Sequence, residues 1–286
     1  MTKIIPATAH NTAPRGAKTL LMGPTGVGKT SLLRTLDPTT TLFADVEAGD
    51  LAVQDLAIDT VRPRTWPQCR DLAVYLAGAN PAVPADAVYG EKHFEAAVAR
   101  FDSSEGAAKY RTFFLDSLTA AGHLSFDWAS RQPEAFSERS GKRDLRGAYG
   151  LHARELCTWL LHLQQARALN IVLIGILETV TDDFNRTEHR LQMEGARVSR
   201  ELPAIVDQII TMHWVNFGDD EPTRSFVCNS PNPWQYPAKD RSGRLDQIEE
   251  PHLGKLFTKL TRSGGDLVES PAAESKPIGG PDVGSV

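Results

Sequence analysis

An α/β protein built on a mainly parallel sheet is the fold class that the sequence predicts, and three observations predict it. Strand-like apolar runs alternate with helix-like stretches through the first 215 residues, the order that βαβ units produce. The run Ile171–Leu177 (IVLIGIL) is continuous and β-branched, as a strand buried on both faces of a parallel sheet should be. Beyond residue 208 the strand-like runs are joined by short links, so the later strands are expected to extend the sheet in antiparallel fashion.

Each element has its own justification. Residues 1–17 are polar with two prolines and are expected to form a flexible arm. Lys18–Met22 is a short apolar strand running straight into a glycine-rich turn. Thr30–Leu36 is a short helix stopped at Asp37-Pro38, because proline disfavours helical geometry in the residue before it. Thr41–Val46 is a second strand, Ala57–Val61 a short edge strand, and Trp66–Leu76 has helical spacing. A proline-rich loop at 80–92 precedes a helix over His93–Arg100, and Tyr110–Leu115 is an aromatic-rich strand. Residues 131–146 are polar and short of aliphatics, which marks a surface loop. A helix over Ala148–Leu169 puts Leu156, Leu160 and Leu163 on one face. The segment 178–201 is long and charged. Gln208–Val215, Ser225–Cys228 and Gln235–Ala238 are further strands. The last residues, 263–286, carry five glycines and three prolines without apolar periodicity, and a disordered tail is expected there. One domain over 18–262 results.

Composition narrows the function classes. With 286 residues, 41% hydrophobic and 23% charged, the chain can bury a substantial core. A net charge of −5 excludes a uniformly basic nucleic-acid coat, though not a local basic groove. Cys69, Cys157 and Cys228 lie far apart with no CxxC or metal-finger spacing, which fits reduced thiols in a cytoplasm. His123, His152, His162 and His213 form no metal-ligand pattern, so no zinc site is expected. The N-terminus lacks the apolar run of a signal peptide, and no apolar stretch is long enough to span a membrane.

Gly23-Pro24-Thr25-Gly26-Val27-Gly28-Lys29-Thr30 fits the phosphate-cradle pattern G-x-x-x-x-G-K-[ST] in full, between a strand and a helix. Glycines allow successive N–H groups to aim at phosphate oxygens, and a helix N-terminus adds its dipole. ATP is the implied ligand, held from Gly23 to Ser31. Lys29 would reach the β- and γ-phosphates, and the Thr30 hydroxyl would bind Mg²⁺. The strand Tyr110–Leu115 ends in Asp116, the Walker B position for completing the metal shell. Ser117 follows where a catalytic glutamate often stands. Glu47, at the end of the second strand, is the best candidate to orient or deprotonate the attacking water. Adjacent parallel strands would bring it to the P-loop edge; Asp45 competes for the role.

The P-loop, Glu47 and Leu115-Asp116-Ser117 together resemble the RecA-like ATPase core. In that family the base follows the second strand and Asp-Ser closes the Walker B strand. Ala238-Lys239-Asp240-Arg241-Ser242-Gly243 resembles the Lys-x-Arg finger of RecA-like recombinases and DnaB-type helicases. The resemblance implies that Lys239 and Arg241 reach a neighbour's γ-phosphate, hence a homo-oligomer, ring or filament. Cations at i and i+2 on a strand share a face, and cations supplied in trans stabilise a transferring phosphoryl group. An ordinary exposed turn explains the same residues. The overall pattern is most similar to phage-encoded RecA-like single-strand annealing and recombination proteins. It implies single-stranded DNA as partner, with single-strand-binding or replication proteins, in the host cytoplasm. One position departs: Glu178 stands where RecA has a polar Gln sensor, and an acid beside the γ-phosphate is repulsive unless paired.

By that resemblance two loops line the DNA axis. The first, 131–146, offers Arg131, Arg139, Lys142, Arg143 and Arg146 against Glu134, Glu138 and Asp144. The second, 178–195, offers Arg186 and Arg190, with Phe184 a candidate for base stacking or for a core contact. Three rival functions share the core: a hexameric helicase-type motor, a P-loop kinase for nucleosides or polynucleotide ends, and a non-enzymatic ATP switch.

Overall fold

The computed structural model describes residues 4, 6, 15–101, 106–137, 139–181, 183–218 and 221–261. In chain order the elements are β1 (Lys18–Gly23), β2 (Thr41–Asp45), β3 (Asp59–Val61), α1 (Trp66–Ala77), α2 (Glu91–Phe101), β4 (Thr112–Asp116), α3 (Leu118–Ala129) and α4 (Leu145–Gln164). There follow β5 (Asn170–Thr181), β6 (Thr187–Leu191), α5 (Ala196–Ile205), β7 (Gln208–Val215), β8 (Thr223–Val227), β9 (Lys239–Asp240), β10 (Ile248–Glu249) and α6 (Leu253–Thr261).

The strands form one sheet in the order β10-β8-β7-β1-β5-β4-β2-β3, with β6 on β5 and β9 on β7. From β7 across to β3 every neighbour is parallel. The strands β6, β8, β9 and β10 join in antiparallel fashion. The predicted mainly parallel sheet with antiparallel later strands is therefore present.

Period-2 alternation divides the core between the two sheet faces. Leu20 and Met22 pack in one cluster with Trp66 and Leu72 of α1, Leu118 of α3, Leu156 and Leu160 of α4, and Val198 and Leu202 of α5. Leu21 packs in the other, with Leu32, Leu33 and the Leu253, Leu256, Phe257 and Leu260 stripe of α6. Among the described residues, five helices cover one face, while one helix and short turns cover the other.

Some elements differ from expectation. The short helix expected after the glycine-rich turn is present as a 3-10 helix, Thr30–Thr35. Residues 235–238 are not a strand: Asn232 holds Tyr236 by its N–H (3.0 Å) and its carbonyl (2.8 Å), and ladder pairing starts at Lys239. The charged 178–201 stretch contains the β5–β6 hairpin and α5. Helix α4 starts at Leu145 and stops at Gln164, short of the predicted Leu169. The end of the predicted arm is not loose. Gly16 N–H donates to the Arg167 carbonyl (2.7 Å) and Ala17 N–H to Asn170 Oδ1 (2.9 Å). The remainder of the arm, apart from residues 4, 6 and 15, and the predicted tail lie outside the described residues. Cys69, Cys157 and Cys228 are buried free thiols. Among the described residues no helix is long and apolar enough to cross a membrane.

Candidate nucleotide site

β1 delivers the glycine-rich loop at the C-terminal end of the parallel strands. Gly26 and Gly28 take φ of 81° and 95°, a region that glycine enters without steric cost. The buried Val27 side chain anchors the loop between them to the core. A Cβ on Gly23 would lie 2.5 Å from the Met212 carbonyl oxygen, so only glycine lets β1 leave the sheet this close to β7. The short 3-10 segment after the loop corrects one expectation: it has no long stack of aligned peptides, so its dipole adds little. Phosphate binding falls to the loop amides and Lys29.

Lys29 Nζ donates to the carbonyls of Gly23 (2.8 Å) and Pro24 (2.9 Å). An ammonium has three protons, so one donor stays available above the loop. Burial lowers the Lys29 pKa, against the fields of Asp116 and Glu47. Thr30 Oγ1 donates to Asp116 Oδ2 at 2.5 Å. Burial pushes the Asp116 carboxyl up to about 6; Glu47 and Asp45 push the same way, while the Thr30 hydrogen bond and Lys29 oppose. This under-compensated carboxylate beside a hydroxyl fits a hard divalent cation, which takes oxygen donors and favours the deprotonated acid. Thr30 and Asp116 are the residues that would hold Mg²⁺.

Glu47 reaches this site by a route different from the one expected. β2 is not beside β1; β5 and β4 stand between them. Pairing of Asp45 with Asp116 across β2 and β4 brings the following residues together instead. Ser117 Oγ donates to Glu47 Oε1 in a short hydrogen bond and accepts from Ala120 N–H (3.1 Å), capping α3. The Asp116–Ser117 peptide bond is cis. Asp45 is fully buried, accepting from Gly49 N–H (2.9 Å) and Arg62 Nε (3.3 Å). Its oxygens hold the loop that carries Glu47, whereas Glu47 is exposed. Sequence spacing shows neither the Ser117 tether nor the Arg62 clamp.

Lys239 and Arg241 are not in this group. β9 pairs with the first residues of β7, at the opposite end of the strands. Lys239 Nζ donates to the carbonyls of Pro203 (2.6 Å) and Val206 (2.9 Å). Arg241 bonds Asp207 (2.9 Å) and the Ala204 carbonyl (3.0 Å). Within the chain both satisfy the C-terminal carbonyls of α5 and the turn after it.

The predicted DNA residues divide. In 131–146, Arg131 pairs with Asp127 (2.7 Å) at the end of α3. Arg139, Lys142, Arg143 and Arg146 are exposed around a turn closed by a Phe136–Arg143 bridge. Among the described residues their side chains have no carboxylate partner. In the second segment, Arg190 Nε pairs with Glu178 (2.7 Å) directly across β5 and β6, which neutralises the departing acid. Arg186 lies over the exposed Phe184 ring at 5.2 Å, so Phe184 is not a core residue.

A glycine-rich cradle, a lysine above it and a threonine–aspartate pair define a P-loop nucleotide-binding protein of the α/β type. The chain belongs to the AAA domain family AAA_24, whose model matches residues 15–242. No curated relative matches it. Among solved structures it is similar to an ATPase from the type III secretion system of pathogenic bacteria, at 15% identity and a TM-score of 0.37, covering 70% of this chain. The chain spans about half (51%) of that ATPase. It is also similar to the flagellar accessory protein FlaH from Methanocaldococcus jannaschii, at 10% identity and TM-score 0.33, covering 79% of this chain and 84% of that one. The RadB recombinase is similar at 12% identity and TM-score 0.31, covering 74% of this chain and 87% of RadB.

Proposed function

We propose that this chain is a Mg²⁺-dependent ATPase that acts on single-stranded DNA as a homo-oligomer, in recombination, annealing or repair. The observation that carries the hydrolytic part is the meeting of Lys29, Thr30, Asp116 and Glu47 at one end of the sheet. The loop amides and Lys29 bind the phosphates. Mg²⁺, when bound, neutralises phosphate charge, and Thr30 and Asp116 hold it. Glu47, aimed by Ser117, orients the attacking water or takes its proton. In an oligomer Lys239 and Arg241 act on a neighbour's nucleotide, which requires them to exchange the α5 carbonyls for phosphate oxygens.

The DNA part is supported by Arg139, Lys142, Arg143 and Arg146, exposed and without a carboxylate partner among the described residues, beside the exposed ring of Phe136. Such a patch offers phosphate contacts that weaken with salt and a surface for stacking. The expected setting is a cytoplasm, that of a host if the chain is phage-encoded.

The test is ATP hydrolysis by the purified protein with Mg²⁺, with and without single-stranded DNA, at low and moderate salt. Stimulation by DNA that fades with salt is expected. Glu47→Gln should cut turnover by roughly 10²–10⁴-fold and leave ATP binding intact. Normal turnover by that variant would remove Glu47 from its role. Turnover indifferent to DNA, or phosphate passed to an added nucleoside, would favour the switch or the kinase.

A further inference from the structure

A second cation stands at the phosphate loop, and no sequence motif points to it. Arg224 lies on β8, opposite Trp214 of β7, and β7 flanks the P-loop strand β1. Its side chain crosses to the loop. The position that a Cβ on Gly28 would occupy is 2.5 Å from Arg224 Nη1 and 3.6 Å from its Cζ, with Met212 Cε at 4.0 Å. The guanidinium therefore rests against the last glycine of the cradle, the residue just before Lys29.

Its bonding there is incomplete. Among the described residues the Arg224 side chain has no hydrogen-bond or ion-pair partner. Other arginines near the sheet are engaged: Arg62 with Asp45 and Asp50, Arg34 with Asp55, Arg241 with Asp207. A guanidinium has five donors in a planar fork that matches phosphate oxygens. The two carboxylates of the site, Asp116 and Glu47, are tied to Thr30 and Ser117. Lys29 is tied to the carbonyls of Gly23 and Pro24, at the start of the loop, while Arg224 meets the loop at Gly28. Two cations from the same chain thus flank one cradle.

We propose that Arg224 is a phosphate ligand in cis, gripping the phosphate chain of the nucleotide held by the loop. The proposal rests on the nucleotide-binding reading of the P-loop and adds to it a residue from a strand outside every motif. A charge-assisted hydrogen bond contributes about 1.5–3 kcal/mol, so removing it should weaken ATP binding by roughly 10- to 100-fold.

The experiment is titration calorimetry of the full chain with ATP·Mg²⁺ and with inorganic tripolyphosphate, for the wild type, Arg224→Gln, Arg224→Lys and Lys29→Ala. Arg224→Gln should weaken both ligands by the same factor. Arg224→Lys should recover only part of the loss, because it keeps charge and loses the fork. Melting temperature should not fall in Arg224→Gln, since the guanidinium holds nothing internal. If Lys29→Ala weakens ATP binding and Arg224→Gln does not, the proposal is overturned and the P-loop reading stands. If Lys29→Ala leaves ATP binding unchanged, the P-loop reading itself fails and takes the proposal with it. Loss of ATP binding with tripolyphosphate unaffected would place Arg224 against base or ribose and overturn the phosphate assignment. A fall in melting temperature that accounts for the lost affinity would make Arg224 structural and would also overturn it.

Discussion

The two ends of the parallel strands carry similar charges and treat them differently. At the end where β1 and β4 finish, Lys29 keeps a donor in reserve, and Asp116 is held near 6 because burial outweighs its hydrogen bond and its cation. At the opposite end Lys18, Lys239 and Arg241 are engaged internally. Lys18 Nζ donates to the carbonyls of Gly16 (3.2 Å), Ala166 (2.8 Å) and Leu169 (2.8 Å), and burial lowers its pKa to about 8. Lys239 and Arg241 close the end of α5. A buried charge whose bonds are all internal fixes backbone, whereas one with a bond outstanding is ready for a ligand. Residue type does not separate the two ends; bonding does.

The largest expected effect breaks this contrast at its ligand-ready end. Asp116 ionises with difficulty in the fold: its carboxyl rises from an ordinary 3.8 to about 6. Below pH 3.8 native and unfolded chains both carry the proton, and the site costs nothing. As pH rises from there to 6 the unfolded chain ionises first, and stability is lost until the native carboxyl has ionised too. Above that the cost levels off at about 3 kcal/mol, because each pH unit between the two pKa values contributes about 1.36 kcal/mol. Asp116→Asn should therefore stabilise the nucleotide-free protein by about 2–3 kcal/mol at pH ~7.5 and leave it unchanged at pH ~4. Urea unfolding at the two pH values reads this directly. The same variant should lose Mg²⁺-dependent turnover, and wild-type Mg²⁺ binding should weaken as pH falls through about 6. Destabilisation at the higher pH would mean that Thr30 and Lys29 already satisfy the carboxylate.

A smaller effect is expected at the opposite end. Lys239→Met removes two charge-assisted bonds to carbonyls at the end of α5, and with the ammonium partly in water this should cost about 1–2 kcal/mol. Thermal melting at low protein concentration measures that cost. Turnover per site against protein concentration sharpens the comparison. The concentration-dependent part of turnover should fall as well, because Lys239 acts on a neighbour in the proposed oligomer; a variant that melts lower and keeps that part would leave Lys239 a structural charge alone.

What is legible in the sequence follows the same physics. The parallel core, the P-loop, Asp116 and Glu47 can be read because strand runs, glycine spacing and strand-end acids are local patterns. Strand order is not local, so the sequence puts Glu47 beside the P-loop strand, whereas it reaches the site through Ser117. Helix α3 leaves no periodic signal because Leu118–Ala129 (LTAAGHLSFDWA) has small and apolar residues on every side. Its Gly122 lies where a Cβ would be 2.6 Å from Met193 Sδ, a packing reason that spacing does not reveal. The β5–β6 hairpin is hidden by its charges, because Glu178 and Arg190 look like loop residues until they stand opposite each other. Arg224 has no local pattern at all.

That charged rung gives the smallest predicted effect, and an asymmetric one. Glu178 sits two residues beyond Ile176, the β5 partner of Gly23, so an acid lies at the same end of the sheet as the cradle. Arg190 covers it, with side chains 52% and 33% exposed for Arg190 and Glu178. An exposed cross-strand pair contributes about 0.2–1 kcal/mol, so either single change should barely move the melting temperature. Nucleotide affinity should distinguish them. Glu178→Gln removes an acid already neutralised and should leave ATP binding as it was. Arg190→Gln uncovers that acid near the phosphates and should weaken ATP binding by about two- to fivefold at low salt, less at high salt. The double variant should bind like Glu178→Gln. If Arg190→Gln is neutral at low salt, Glu178 lies too far from the phosphates to need a partner. The ion pair then belongs with the structural charges, despite standing at the ligand end of the sheet.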